Sequence, residues 1–153
     1  MNKYAKGDDL YPEDVEKRAQ IDRMLDFDCG TLYGSFYNWL IPQFLIKESP
    51  CPIKREKIYN NLKVLDKFLE KNNYCAGDKY TIADMSIVSS VTSIDGTHCV
   101  KVDEFKNVQK WLEKLKNELS YWDECVTIPV AEMAPAIEAY KNRDETANVL
   151  TPP

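Results

Sequence analysis

Between Thr81 and Ile94 the chain carries one charged residue, Asp84, in fourteen, whereas the segments on either side carry a charge every few positions. A helix that is apolar nearly all round is stable only when other helices surround it. The segment therefore predicts a helical bundle with this helix at its centre. Thr81 suits the N-cap, and Asp84 stands at the third helical position, where a carboxylate reaches back to the cap amide. Tyr80, just before the cap, is placed to staple onto Met85.

The flanking segments carry the other helices. Pro12 with Glu13 and Asp14 makes a helix start, and Ile21, Leu25, Cys29, Leu32, Phe36 and Leu40 recur every three or four residues. This predicts one long amphipathic helix over 12–46, weakened at Gly30 and Gly34 and kinked or ended at Pro42. Pro50 and Pro52 mark a loop. A second helix, over 53–72, has Ile58, Leu62, Leu65 and Leu69 inside. After Asp103, read as an N-cap, Phe105, Val108, Leu112, Leu115 and Leu119 form the next stripe, with Trp111 beside it. A last short helix falls over 130–142, bracketed by Pro129 and Pro135. The predicted fold is all-α, five or six helices around a buried central one. No strict period-two strand of useful length occurs.

Composition narrows the functional classes. The 153 residues fit one domain. Five glycines leave little room for a phosphate-cradling loop or a turn-dense β fold. Twenty basic against 25 acidic residues give a net charge of −5, with no basic excess to suggest nucleic acid. No apolar run is long enough to span a membrane, so a cytoplasmic protein is the expectation. The five cysteines, at 29, 51, 75, 99 and 125, contain no Cys-x-x-Cys pair and offer no metal site; they read as free thiols acting as small apolar residues. His98 beside Cys99 reads as a loop histidine, since a catalytic pair is recognised by geometry and not by adjacency.

Leu10-Tyr11-Pro12-Glu13-Asp14, Lys17-Arg18-Ala19 and the run from Leu25 through Phe27-Asp28-Cys29-Gly30-Thr31-Leu32-Tyr33 resemble the opening of the helical C-terminal domain of insect delta- and epsilon-class cytosolic glutathione transferases. Ala76-Gly77-Asp78 followed by Thr81-Ile82-Ala83-Asp84 resembles that superfamily's capping box and staple, and Asn107-Val108 with Trp111 fits its next helix. The resemblance covers about residues 1–125. It implies that residues 1–10 are a remnant of a thioredoxin-like domain's last helix and linker, that 11–143 form the helical domain and that 144–153 are a flexible tail. The thioredoxin-like domain of the family binds glutathione, the co-substrate, and supplies the serine that stabilises its thiolate. No residue here matches that role, so neither a catalytic nor a glutathione-binding residue is assigned, and the chain alone is expected to be inactive. Glu48-Ser49 and Thr127-Ile128-Pro129 look like family glutathione-site segments but lack the helix and the strand that should follow them.

The resemblance assigns Tyr33, Phe36, Ile41, Phe44 and Leu45 to the wall of the family's hydrophobic-substrate site; Tyr37 is added because it falls on an adjacent helix face. Independently, Tyr33, Phe36, Tyr37, Trp39 and Phe44 are five aromatics in twelve residues, more than one buried stripe needs. Either a greasy pocket or a buried interface accounts for them. Asp28, among apolar neighbours, is read as a packing salt bridge to Arg18 or Lys17. The expected partners are hydrophobic small molecules and a second copy or a thioredoxin-like domain, with no nucleic acid and no membrane insertion. Two functions remain open: the hydrophobic-substrate half of a detoxifying glutathione transferase, or a non-catalytic helical module that sequesters apolar ligands or docks with a protein.

Overall fold

The computed structural model describes residues 10–46 and 48–141, with only the backbone path for residues 44, 134, 136 and 138–141. Residues 1–9 and the tail after 141 lie outside the described residues, so the linker and tail expectations do too. The architecture is all-α. In chain order the helices are α1 (Val15–Phe27), α2 (Tyr33–Leu45), α3 (Pro52–Lys71), α4 (Ile82–Gly96), α5 (Lys106–Glu118) and α6 (Ile128–Lys141). A π-helical turn, Asp28–Leu32, joins α1 to α2, and a second, Asp123–Thr127, leads into α6.

Helix α4 is central: Ala83, Asp84, Ile87, Val88, Ser90, Val91 and Ile94 are all buried, and the helix packs against α1, α6 and the first π turn. Helix α3 lies between α2 and α5. The capping box closes the start of α4 on itself, with Thr81 N–H donating to Asp84 Oδ2 at 2.9 Å. Asp84 has no exposed surface, and its other oxygen accepts from Cys75 N–H at 2.8 Å and from the Trp111 indole at 2.9 Å. One carboxylate thus ties the loop before α4, the start of α4 and the middle of α5 together. Tyr80 packs its ring edge-on against Tyr74 and its hydroxyl lies 3.1 Å from that of Tyr121, while Met85 is exposed.

Three sequence expectations need correction. The long first helix continues through Pro42 to Leu45 and is interrupted earlier, by the π turn. The wider turn admits an extra residue and shifts the inward phase to Ile21, Met24, Asp28, Leu32, Phe36 and Trp39, so Cys29 is exposed. Asn61 holds the turn from α3, its amide donating to the Thr31 carbonyl at 3.0 Å and to Ser35 Oγ at 2.9 Å. Gly34 suits the close approach of the backbone at the end of the turn, since a Cβ there would lie 3.1 Å from the Cys29 carbonyl. Second, Asp103 does not cap α5; it sits in a short 3-10 turn, Val102–Glu104. The cap comes from α3, where Asp66 Oδ1 accepts from Asn107 N–H at 2.8 Å and Val108 N–H at 3.2 Å, the positions a local N-cap side chain would satisfy. Third, Pro129 and Pro135 lie within α6 instead of bracketing it.

Candidate functional site

The π turn decides what each aromatic of α2 does. Phe36 and Trp39 point inward, 4% and 7% exposed, with stacked rings 6.4 Å apart. Tyr33 and Tyr37, one turn apart, point outward at 47% and 48% exposure, with rings 6.1 Å from each other. Ile41 is half-buried, and Leu45 is 71% exposed. The Phe44 side chain lies outside the described residues. The candidate pocket residues therefore divide. Tyr33, Tyr37, Ile41 and Leu45 follow one another at intervals of four along one exposed face, whereas Phe36 belongs to the core. The face is an open apolar surface with two phenol hydroxyls, able to hold a flat hydrophobic molecule by ring contact and to orient it by hydrogen bonding.

Asp28 stands at the start of the π turn that leads into α2. It is 3% exposed, and its Oδ2 accepts from Ser86 Oγ of α4 at 2.5 Å. Its Oδ1 is buried with no hydrogen-bond partner among the described residues. The expected salt bridge is not there: Arg18 donates to the Pro12 carbonyl and stacks over Tyr11, and Lys17 is exposed on the far turn. Sequence reasoning missed Ser86, because nothing in a run of small residues marks which one will meet an acid on another helix. Trp39 Nε1 is the other buried polar atom without a partner among the described residues.

The cysteines divide as well. Cys75 and Cys99 are buried; burial and the adjacent Asp84 carboxylate push the Cys75 thiol well above its ordinary range, and burial pushes Cys99 up to about 12. Cys29 and Cys125 are exposed, one in each π turn, and Cys51 is half-buried, so the apolar reading holds for two of the five. His98 has φ +53 and is exposed beside the buried Cys99, in no catalytic arrangement. Among the described residues no three His, Cys, Asp or Glu side chains gather as metal ligands, and no helix is long and apolar enough to cross a membrane. Thr127-Ile128-Pro129 is helical, and Glu48 is paired with Lys54 at 3.0 Å. A recess of about 600 Å³ lies between the start of α1 and the loop from Asn72 to Thr81, with charged and amide side chains and apolar surface mixed in its lining.

Comparison with known proteins places this geometry in a family. Residues 36–118 match the family described as glutathione S-transferase, C-terminal domain. A delta-class glutathione transferase of Nilaparvata lugens shares the fold at a TM-score of 0.86 and 32% identity, over 91% of this chain and 65% of that one. An epsilon-class enzyme of the housefly, Musca domestica, matches at 0.82 and 32%, over 91% and 64%. A Bombyx mori glutathione transferase matches at 0.81 and 34%, over 88% and 62%. This chain thus spans less than two thirds of the length of these relatives. Residue match, fold and identity together show that the chain belongs to the glutathione S-transferase C-terminal domain family.

Proposed function

We propose that this domain is the hydrophobic-ligand half of a glutathione transferase-type site, in which the face of Tyr33, Tyr37, Ile41 and Leu45 receives apolar electrophiles for conjugation to glutathione. The single observation that supports it is the exposed Tyr33–Tyr37 pair on α2, in a fold shared with insect delta- and epsilon-class transferases. The chemistry of conjugation is addition of the glutathione sulfur to an electrophilic carbon, which needs a donor that favours the thiolate. None of the residues described here is assigned to that step, so the 153-residue chain by itself binds the apolar partner and turns nothing over. Phe36 contributes by backing α2 from the core and not by touching ligand.

The test is a titration of the purified chain with an apolar fluorescent probe, alongside a conjugation assay with glutathione and a dinitrobenzene electrophile. Truncating Tyr33 and Tyr37 to Ala removes about 1 kcal/mol of aromatic contact each, so the probe should bind at least tenfold more weakly to the double variant. Unchanged affinity would remove the ligand face from the proposal, and turnover by the chain alone would overturn its inactivity. A second reading, that this face docks a protein, is favoured by Leu45 and Ile46, each 71% exposed, which extend the apolar surface past the tyrosine pair. Sedimentation distinguishes them: a self-associating chain that becomes monomeric in Tyr33→Ala/Leu45→Ala supports the docking role.

A further inference from the structure

The charge of the chain is unevenly distributed. Helices α3 and α5 together carry ten lysines and arginines against five acids, which leaves ten basic against twenty acidic side chains elsewhere. On α3 the residues Lys63, Lys67 and Lys71 recur every four positions, and on α5 so do Lys106, Lys110 and Lys114. Each row spans about 12 Å at the rise of an α-helix.

Three contacts align the rows. The Tyr59 ring meets Phe105 at 5.1 Å, Asp66 accepts from the amides of Asn107 and Val108, and one shallow recess of about 170 Å³ is lined by Lys71, Lys110 and Lys114 together with Glu70. Residue numbers rise together along both helices, so the two run in the same direction with their lysines side by side. None of these six lysines has a carboxylate within ion-pair distance among the described residues, though Lys63 lies over the Tyr59 ring at 4.7 Å and Lys114 over the Tyr74 ring at 3.9 Å. Two of the five acids are engaged otherwise, Asp66 with the start of α5 and Glu118 with the Tyr74 hydroxyl.

From this arrangement we infer that the α3–α5 face is a docking surface for an anionic lipid membrane, held by charge and without insertion. The side-chain chemistry separates a membrane from other polyanions. Aromatic stacking platforms for nucleic-acid bases are missing from the face, since Trp111 and Tyr74 are buried and Tyr59 lies against Phe105. Protein interfaces deplete lysine and use aromatic or arginine anchors, and here every one of the six is lysine. Two neighbouring rows of ammonium groups suit the diffuse potential of phosphatidylserine headgroups, to which each lysine near the surface adds about fivefold in affinity. At physiological salt the screening length is roughly 8 Å, so carboxylates farther than that from the lipid add little repulsion.

The experiment is co-sedimentation of the full 153-residue chain with phosphatidylcholine vesicles, with and without about 30% phosphatidylserine, at low and at physiological salt. Binding to the anionic vesicles alone is expected, weakening as salt rises. The variant Lys67→Gln/Lys71→Gln/Lys110→Gln should bind about a hundredfold more weakly. The control Lys17→Gln/Lys57→Gln/Lys116→Gln has the same net charge but changes lysines outside the two rows; it should bind as the parent does. Circular dichroism of both variants establishes that they are folded. No sedimentation of the parent at low salt would overturn the assignment. So would equal losses in the two variants, or binding to a nucleic acid or an acidic polypeptide in the absence of any binding to vesicles.

Discussion

Replacing Asp84 tests the claim that one buried carboxylate holds three parts of the fold together. Its two oxygens accept four hydrogen bonds: from Cys75 N–H at 2.8 Å, the Trp111 indole at 2.9 Å, Thr81 N–H at 2.9 Å and the Thr81 hydroxyl at 3.1 Å. In Asp84→Ala the hydroxyl rotates to another acceptor, but three N–H donors are left in a site that water does not reach. At about 1.5 kcal/mol for each orphaned donor the loss is about 4 to 5 kcal/mol. That is a large part of the 5–15 kcal/mol that holds an ordinary domain folded, and it corresponds to a fall of roughly 12 °C in Tm for a chain of this size. Asp84→Asn keeps one acceptor oxygen and turns its NH2 toward groups that are themselves donors, so about half that loss is expected. Urea unfolding followed by far-UV circular dichroism and by tryptophan fluorescence reads both variants, and the two signals should move together. A loss below about 1 kcal/mol in Asp84→Ala would show that water or a neighbouring carbonyl takes over the donors, and the reasoning would fail.

Three further perturbations test other contacts. A Cβ at Gly96 would sit 2.7 Å from Val130 Cγ1 and 3.3 Å from Met133 Cε, so Gly96→Ala should cost about 1 to 3 kcal/mol by pushing α6 off α4. Adding Val130→Ala should return part of it; a double variant no more stable than the single one would place the strain elsewhere. Burial holds the Cys99 thiol at about 12, and burial together with the Glu118 hydrogen bond holds the Tyr74 hydroxyl at about 12. These groups keep their protons in the folded state at pH values where the unfolded chain has lost them. Stability should therefore be complete below about pH 8.5 and fall as pH rises toward 12, seen as a falling urea midpoint. In the same samples a thiol reagent should modify Cys29 and Cys125 at once and Cys75 and Cys99 only on unfolding; early modification of Cys99 would contradict its burial.

Much of the bundle was legible because helix periodicity survives in the sequence wherever a helix has one buried face. The low charge of residues 81–94 identified the central helix, and Thr81 with Asp84 identified its start. What was not legible concerns phase and long-range partners. The stripe through Cys29 assumed 3.6 residues per turn, and the π turn moves the inward place one residue back, to Asp28. The start of α5 was assigned to Asp103 because Asp is a good N-cap and stands just ahead of the stripe, yet the cap, Asp66, lies some forty positions earlier on α3. No local signal carries that information. The prolines of α6 were read as boundaries on local grounds, and packing of the helix against α4 carries it through them. At the candidate site the number of aromatics pointed to surplus apolar surface, but only the phase of α2 determines that Tyr33 and Tyr37 face out and Phe36 and Trp39 face in.

The π turn also bears on how such a domain diversifies. In an uninterrupted α-helix a one-residue deletion turns everything beyond it by about 100°. Asp28–Leu32 already contains the surplus residue, so losing one position there would relax the turn to ordinary pitch and leave α2 with the same face toward the core. Tyr33 and Tyr37 would stay on the surface together, with Phe36 and Trp39 behind them. A one-residue change of length is thus absorbed at this turn, whereas the same deletion within α2 would turn the tyrosine face away from the surface.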